Sequence, residues 1–155
     1  MTDYQLLLAQ ADALLEDERH PLPALANVSA LLYGTLEKLN WAGFYLMEGG
    51  SLMLGPFQGK AACIRIPVGR GVCGTAAEED AAQRVEDVHR FPGHIACDSA
   101  SNSELVIPIH ACGRVIGVLD LDSPEPARFS AEDQDCLTAL VRKLETGCDW
   151  GRWRL

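Results

Sequence analysis

Positive charge is scarce in this chain. Its 155 residues contain 13 Lys and Arg against 22 Asp and Glu, which gives a formal net charge of −9. Proteins that bind nucleic acid need a basic surface that neutralises phosphates, and anionic membrane surfaces attract basic segments in the same way. The composition therefore argues against a nucleic-acid partner and against a membrane-surface partner.

Long apolar runs are also missing. Nowhere do 18 apolar residues follow one another, so no transmembrane helix is expected. The first five residues lack a basic stretch that leads into an apolar one, so no secretory signal is expected. We therefore expect a cytoplasmic protein. In that compartment, six cysteines are more often reduced, catalytic or metal-binding than joined in a structural framework.

The spacing of the cysteines does not favour zinc. Cys63, Cys73 and Cys97 are separated by 10 and 24 residues, whereas structural zinc sites use close C-x₂₋₄-C pairs. We expect no metal. Internal repeats, low-complexity tracts and linkers are absent as well, and the length is typical of one domain. A single domain over residues 1–155 is the expectation.

Capping residues and helical periodicity predict helices near both ends of the chain. Two N-terminal helices are expected over about 2–39, the first opened by a capping box at Thr2-x-x-Gln5 and the second ended by Asn40. A final helix is expected over about 131–147, capped by Ser130-x-x-Asp133. A sheet and active-site loops then occupy about 40–123.

Short alternating runs separated by turns predict the strands of this sheet. The expected strands are Trp41–Met47, Leu52–Leu54, Ala62–Ile66, Arg84–Val88, Glu104–Ile109 and Arg114–Leu121, with a short helix at Val72–Asp80. Pro108 cannot donate to a ladder, so its strand should be an edge or carry a bulge there. Because turns make most of the connections, we expect an α/β fold of the α+β type, with a mainly antiparallel sheet and the terminal helices on one face.

Cys97 is the first candidate for chemistry. It lies in a loop rich in Gly, Pro, Asp and Ser, and the irregular stretch His89–Asn102 is long enough to suggest a function. The thiolate is the nucleophilic form of cysteine, and His94 would favour it while Asp98 would oppose it. The alternative is a partly buried, inert loop cysteine.

Two upstream cysteines could close a disulfide onto an oxidised Cys97. Cys73 lies at the predicted start of a helix, where the backbone N–H groups favour a thiolate. Its alternative is a small residue packed beneath a Gly-rich turn. Cys63 shares a strand face with Arg65, and its alternative is an exposed thiol without function. The three cysteines together suggest thiol redox chemistry.

Acidic and aromatic residues form two further candidate sets. Asp120 and Asp122 alternate along one strand and share a face, and hairpin pairing brings Glu104 to the same end. Three acids close together must bind something, such as an ammonium group, or keep a proton that they can donate; the alternative is a solvated strand end. Trp41 and Tyr45 likewise share one face and suit the wall of a ligand site or the core.

Six runs of the sequence resemble the free methionine-R-sulfoxide reductases, which are single-domain proteins of the GAF fold. The resemblance covers about residues 30 to 145, and its most specific part is Gly-His-Ile-Ala-Cys97 with cysteines at both upstream positions. The runs are Asn40–Tyr45, Leu54–Cys63, Gly69–Ala77, Phe91–Ser99, Ser103–Val106 and Gly117–Ser123.

The resemblance implies a role for each candidate residue. Cys97 matches the nucleophile that attacks the sulfoxide sulfur, Cys63 the usual resolving cysteine, and Cys73 a third cysteine of the relay. The residues that match the substrate-binding set, acidic and aromatic, are Glu104, Asp120, Asp122, Trp41 and Tyr45.

The resemblance also implies recycling by thioredoxin, a homodimer and no cofactor. The order in which Cys63 and Cys73 act stays open. Two alternatives remain at this stage, a GAF sensor that binds a small ligand without catalysis and a sensor whose disulfide is itself the signal.

Overall fold

The computed structural model describes residues 1–95, 97 and 99–152. These residues form four α-helices and a six-stranded sheet whose strands all pair antiparallel, in the order β3-β2-β1-β6-β5-β4. The elements are α1 (Tyr4–Asp17), α2 (Pro21–Thr35), β1 (Trp41–Glu48), β2 (Ser51–Gly59), β3 (Arg65–Pro67), α3 (Gly71–Glu79), β4 (Gln83–Val85), β5 (Ser103–Ala111), β6 (Arg114–Ser123) and α4 (Ala131–Gly147), with 3₁₀ turns at Val88–Arg90 and Trp150–Arg152.

The main core lies between the sheet and the helices α1, α2 and α4. Buried leucines of these helices, such as Leu7, Leu32 and Leu140, pack against Phe44 and Leu119 on the sheet. Each fully buried leucine stabilises the fold by about 1.5–3 kcal/mol relative to an exposed one. The predicted α+β fold, with an antiparallel sheet and the terminal helices on one face, is confirmed.

A second, smaller core lies on the opposite face, under α3. Because side chains alternate along a strand, the residues between those of the main core point this way. Trp41, Tyr45, Val106 and Val118 pack there against α3, which contributes Val72. This face carries the candidate site, while the three-helix face holds the sheet rigid behind it.

The N-cap of the C-terminal helix α4 is the one that the sequence predicts, whereas the N-cap of the N-terminal helix α1 is not. Ser130 and Asp133 form the predicted capping box of α4. The predicted box at Thr2-x-x-Gln5 is wrong, because the side chain of Asp3 caps α1 and accepts from the backbone N of Leu6 at 3.0 Å. Threonine and aspartate are both favoured at the N-cap, so residue type alone did not show which of Thr2 and Asp3 caps the helix.

The second helix is shorter than predicted. α2 ends at Thr35, not at Asn40, because Leu36 is extended and Lys38 lies in the left-handed region with φ of 61°. Apolar residues continue at helical spacing as far as Leu39, so the periodicity predicted a longer helix than the structure contains. The chain instead turns here to enter β1.

β2 runs to Gly59 instead of ending at Leu54, which corrects the predicted return strand. The register with β1 shifts between Gly43 and Tyr45, and this bulge absorbs the irregular Gly-Pro sequence of β2. A Cβ at Gly43 would lie 2.3 Å from the Cβ of Phe57, so the close approach of the two strands requires glycine. The alternating pattern alone does not reveal such a bulge.

Two short strands are displaced from their predicted positions. β3 covers Arg65–Pro67 rather than Ala62–Ile66, because the residues before it bond irregularly to β1 and β2. β4 covers Gln83–Val85 rather than Arg84–Val88, because Asp87 caps the 3₁₀ turn that follows. The predicted α3 at Val72–Asp80 is shifted by one residue.

Pro108 has the predicted environment. It pairs with Val118 of β6 on one side, while on the other side β4 reaches only Glu104 to Val106, so β5 is locally an edge at the proline. The register also shifts directly after it, between Ile109 and His110. Within the part of the chain that the structure describes, no helix has the length and apolar character needed to cross a membrane.

Candidate functional site

A cavity lies between α3 and the sheet and encloses about 40 Å³ of space for water-sized molecules. This volume holds a few waters. Seven of the eight predicted site residues line it: Trp41, Tyr45, Cys73, Cys97, Glu104, Asp120 and Asp122. The eighth, Cys63, is bonded to Cys97. The structure therefore brings all eight residues together, from six separate stretches of the chain.

Strand register places the three acids beside one another. Glu104 of β5 pairs directly with Asp122 of β6, and Asp120 lies two residues along β6 on the same face. Asp122 also pairs with Trp41 of β1, so the acids and the aromatic wall share one end of the sheet. The predicted hairpin geometry is confirmed.

Burial gives these acids unusual proton affinities. Glu104 is 7% exposed and Asp120 is 5% exposed. Burial, followed by the charges of Asp120 and Asp122, raises the pKa of Glu104 well above its usual range. Burial also raises the pKa of Asp120, although hydrogen bonds with Glu104 and Cys73 oppose it. Glu104 thus holds a proton at a pH where an ordinary glutamate is ionised, and it can donate that proton.

One acceptor in the cavity has no partner. Oδ1 of Asp120 is buried and receives no hydrogen bond from any described residue. A buried polar atom without a partner costs about 1–3 kcal/mol, so it suits a site that a ligand's donor completes.

Cys73 lies beneath the acids at the first turn of α3. Its buried Sγ donates to Oε2 of Glu104 at 3.8 Å. Burial first, and then the charges of Asp120 and Glu104, raise the pKa of the Cys73 thiol well above its usual range. Desolvation and the three acids therefore outweigh the helix dipole, and Cys73 has the environment of the alternative considered for it, a small residue packed beneath a Gly-rich turn.

Cys63 and Cys97 form a disulfide, with 5.5 Å between their Cα atoms. Cys97 lines the cavity, whereas Cys63 is not among the described residues that line it. The bond joins the loop of Cys97 to the segment that precedes β3. A disulfide between these two cysteines is the product expected when one thiol is oxidised beside the other.

Three carbonyl oxygens in the segment around Cys63 accept hydrogen bonds from residues of β1 and β2. Nε1 of Trp41 donates to O of Lys60 at 3.2 Å, and the hydroxyl of Tyr45 donates to O of Cys63 at 2.9 Å. The backbone N of Leu54 in β2 donates to O of Ile64 at 2.9 Å. The two aromatic residues therefore position Cys63 as well as lining the cavity, a role that alternation alone does not reveal.

The loop of Cys97 rests on the N-terminus of α3. Gly71 has φ of +65°, and a Cβ there would lie 3.3 Å from Cδ1 of Ile95. His94 also lines the cavity, and burial, assisted by the charge of His89, lowers its pKa. A neutral His94 cannot supply the cation that the sequence suggested for the Cys97 thiolate.

Two other residues of the His89–Asn102 loop complete the comparison with the sequence. Asp98, which was expected to oppose the thiolate, lies outside the described residues. Ser101 was missed, although it is buried beside the cavity and accepts from Nδ2 of Asn40 at 3.0 Å. A serine in a polar loop gives no sequence signal for such a position.

One group of side chains has donor atoms suitable for a cation. Ligand atoms of Cys73, Glu104 and Asp120 lie within 4.8 Å of one another. The three residues come from three elements, so the spacing of the cysteines did not point to them. Because burial raises the pKa of each group, protons compete with any cation here.

Comparisons with known proteins agree with this geometry. A family model of the GAF domain matches residues 12–147. The chain is 59% identical over 134 residues to free methionine-R-sulfoxide reductase of Escherichia coli, an alignment that covers 86% of this chain and 81% of that protein.

Solved structures superimpose closely on the described fold. The reduced form of fRMsr of Staphylococcus aureus matches with a TM-score of 0.93 at 52% identity, over 95% of this chain and 96% of that one. Free methionine-R-sulfoxide reductase of Neisseria meningitidis, in complex with its substrate, matches with a TM-score of 0.92 at 42% identity, over 96% of this chain and 90% of that one.

Proposed function

Since the chain belongs to the GAF domain family and, within it, to the free methionine-R-sulfoxide reductases, we propose that it reduces free L-methionine-(R)-sulfoxide to L-methionine. The single observation that carries this proposal is the cavity that Cys97 and the buried Glu104 both line, where burial raises the pKa of Glu104 well above its usual range. Reduction of a sulfoxide needs a nucleophile for the sulfur and a proton for the departing oxygen, and these two residues can supply both.

The proposed first step leaves the oxygen on the enzyme. The Cys97 thiolate attacks the sulfoxide sulfur while Glu104 donates its proton to the oxygen. Methionine leaves, and Cys97 becomes a sulfenic acid. The thiol of Cys63 then attacks that sulfur, water departs, and the Cys63–Cys97 disulfide forms. This cycle requires no metal or organic cofactor.

The remaining lining residues suit the two ends of the substrate. Oδ1 of Asp120 is a buried acceptor without a partner, and Asp122 lies beside it, so together they can bind the substrate's ammonium group. The rings of Trp41 and Tyr45 lie 5.8 Å apart in a stacked arrangement and can contact the methyl group and the sulfur.

Cys63 is proposed as the first resolving cysteine. It is bonded to Cys97, whereas Cys73 is buried and has a raised pKa that keeps it a thiol. In this proposal Cys73 contributes mainly through its hydrogen bond to Glu104. It enters the disulfide relay only after Cys63.

Thioredoxin is the proposed reductant, because a dithiol protein restores both thiols by exchange. We also propose that residues 1–155 act as one domain, in the cytoplasm and as a homodimer. A reducing compartment is consistent with the catalytic use of thiols, and the dimer follows from the family resemblance. Light scattering on the purified protein tests the dimer.

The first test is release of methionine from each separate epimer of free methionine sulfoxide, with dithiothreitol as the reductant. We expect release from the R epimer only, and none with Cys97→Ser. Equal release by Cys97→Ser would assign the nucleophile elsewhere. No release from either epimer would favour a ligand sensor, or a redox sensor whose Cys63–Cys97 disulfide is the signal.

A further inference from the structure

Ile64 is a large apolar side chain that the fold leaves 70% exposed, directly after Cys63. Its carbonyl is bonded to β2, so the backbone presents the side chain in a fixed position. Single exposed apolar residues are common and need no explanation by themselves. This one, however, adjoins a bond that a reductant must reach once in every catalytic cycle.

The two sulfurs of the disulfide differ in their surroundings. Cys97 lines the cavity, and its loop is packed on α3 through Ile95. Cys63 is not among the described residues that line that cavity, although Ala62 before it is, and the side chain of Ile64 directly after it is exposed. The rate of thiol–disulfide exchange depends on which sulfur the attacking thiolate can reach.

The charged residues around the two sulfurs also differ. An attacking thiolate is negative, and the cavity behind Cys97 contains the acids Asp120 and Asp122. On the other side, Lys60 and Arg65 are exposed close to Cys63 in the sequence, although Arg65 is ion-paired with Glu48 at 2.7 Å. Local positive charge on an acidic protein favours the approach of a thiolate to Cys63.

We propose that a dithiol protein reductase of the thioredoxin class docks by placing an apolar rim of its own surface against Ile64, and that it attacks Sγ of Cys63. This inference rests on the proposed function. The reductase thiolate bonds to Sγ of Cys63, the Cys63–Cys97 bond breaks, and Cys97 leaves with the electron pair as a thiolate. The second reductase thiol loses its proton and attacks the first reductase sulfur, which releases Cys63. The reductase ends as a disulfide, and the protein gains two electrons.

The docking contact is tested with Ile64→Ser and the matched control Leu22→Ser. Leu22 is 51% exposed on α2, which packs on the opposite face of the sheet. With a thioredoxin recycling system, kcat/KM for thioredoxin should fall about tenfold for Ile64→Ser, a typical effect of removing one apolar interface contact. It should stay unchanged for Leu22→Ser, and both variants should match wild type with dithiothreitol. Equal values of kcat/KM for thioredoxin in the two variants would overturn the docking surface.

The attacked sulfur is identified by trapping. A thioredoxin that keeps only its nucleophilic cysteine is mixed with the oxidised protein, and the mixed disulfide is mapped by digestion and mass spectrometry. We expect the bond at Cys63. A bond at Cys97, or no mixed disulfide, would overturn the assignment.

A third measurement separates this inference from the function on which it rests. Pre-reduced wild-type protein, freed of reductant, should release methionine in a single turnover. If it does and the trapping fails, then the reductase activity stands and the docking inference falls. If it does not, the proposed function itself is wrong.

Discussion

At the scale of single residues, Glu104 combines the features of a general acid. It is buried, its pKa is raised by burial and by neighbouring carboxylates, and it lines the cavity with Cys97. Glu104→Gln keeps the size of the side chain but has no proton to transfer. We expect kcat/KM for the R sulfoxide to fall by roughly 10²–10⁴-fold, the usual contribution of a general acid.

The pH dependence of kcat/KM provides a second test of Glu104 as the general acid. The protonated form of Glu104 is the active one, so its contribution is present below the raised pKa and is lost as the pH rises through it. Wild-type kcat/KM should therefore decrease on the alkaline side, and Glu104→Gln should lack that decrease. Glu16→Gln, an exposed change on α1, is the control and should behave as wild type. A near-normal rate in Glu104→Gln would reassign the proton to another group.

Residue types and alternation predicted much of the site. They placed Asp120 and Asp122 on one face, Trp41 and Tyr45 on one face, and Glu104 across the hairpin. They did not predict the charge state of Cys73 or of His94. Those states depend on desolvation, which arises only when distant segments pack together.

At the scale of elements, the contact between the N-terminus of α3 and the Cys97 loop requires glycine at position 71. Gly71→Ala would place a side chain at φ of +65° and press on Ile95. We expect a loss of about 1 kcal/mol in the free energy of unfolding, because a left-handed backbone disfavours alanine. We also expect a lower kcat/KM, since the Cys97 loop must move.

Gly34→Ala is the matched control. Gly34 lies in α2 with open space around its Cα, so alanine should stabilise the protein by about 0.5–1 kcal/mol and leave kcat/KM unchanged. Urea unfolding and steady-state kinetics measure both effects. Equal stability and activity in the two variants would show that the loop does not depend on Gly71.

Elements were predictable where local rules act alone. The capping box at Ser130 fixed the start of α4, and β5 and β6 were found from alternation and a turn. The end of α2 and the length of β2 were not predicted, because they depend on the left-handed backbone of Lys38 and on the register shift between β1 and β2 after Gly43. The hydrophobic periodicity of the sequence reveals neither of these features.

At the scale of the whole molecule, the Cys63–Cys97 disulfide closes a loop across a sequence separation of 34 residues. Closure of such a loop restricts the unfolded chain and stabilises the folded state by about 4 kcal/mol in the chain-entropy description. For a domain of this size, the oxidised protein should melt on the order of 10 °C above the reduced one. Calorimetry with and without dithiothreitol measures the difference.

Cys63→Ser provides the comparison for this experiment. It cannot form the bond, so its melting temperature should not respond to dithiothreitol. If the wild type also failed to respond, the disulfide would impose no restriction on the unfolded chain.

The pairing of β5 with β6 has a consequence for folding fidelity. A slip by one residue would turn Glu104 or the two β6 aspartates away from the cavity and into the apolar layer beneath the three helices. An ionised carboxylate there would have neither water nor a partner, at a cost of several kcal/mol. The acids that we assign to substrate binding would thus also reject misaligned hairpins, so the correct register is enforced before any ligand binds.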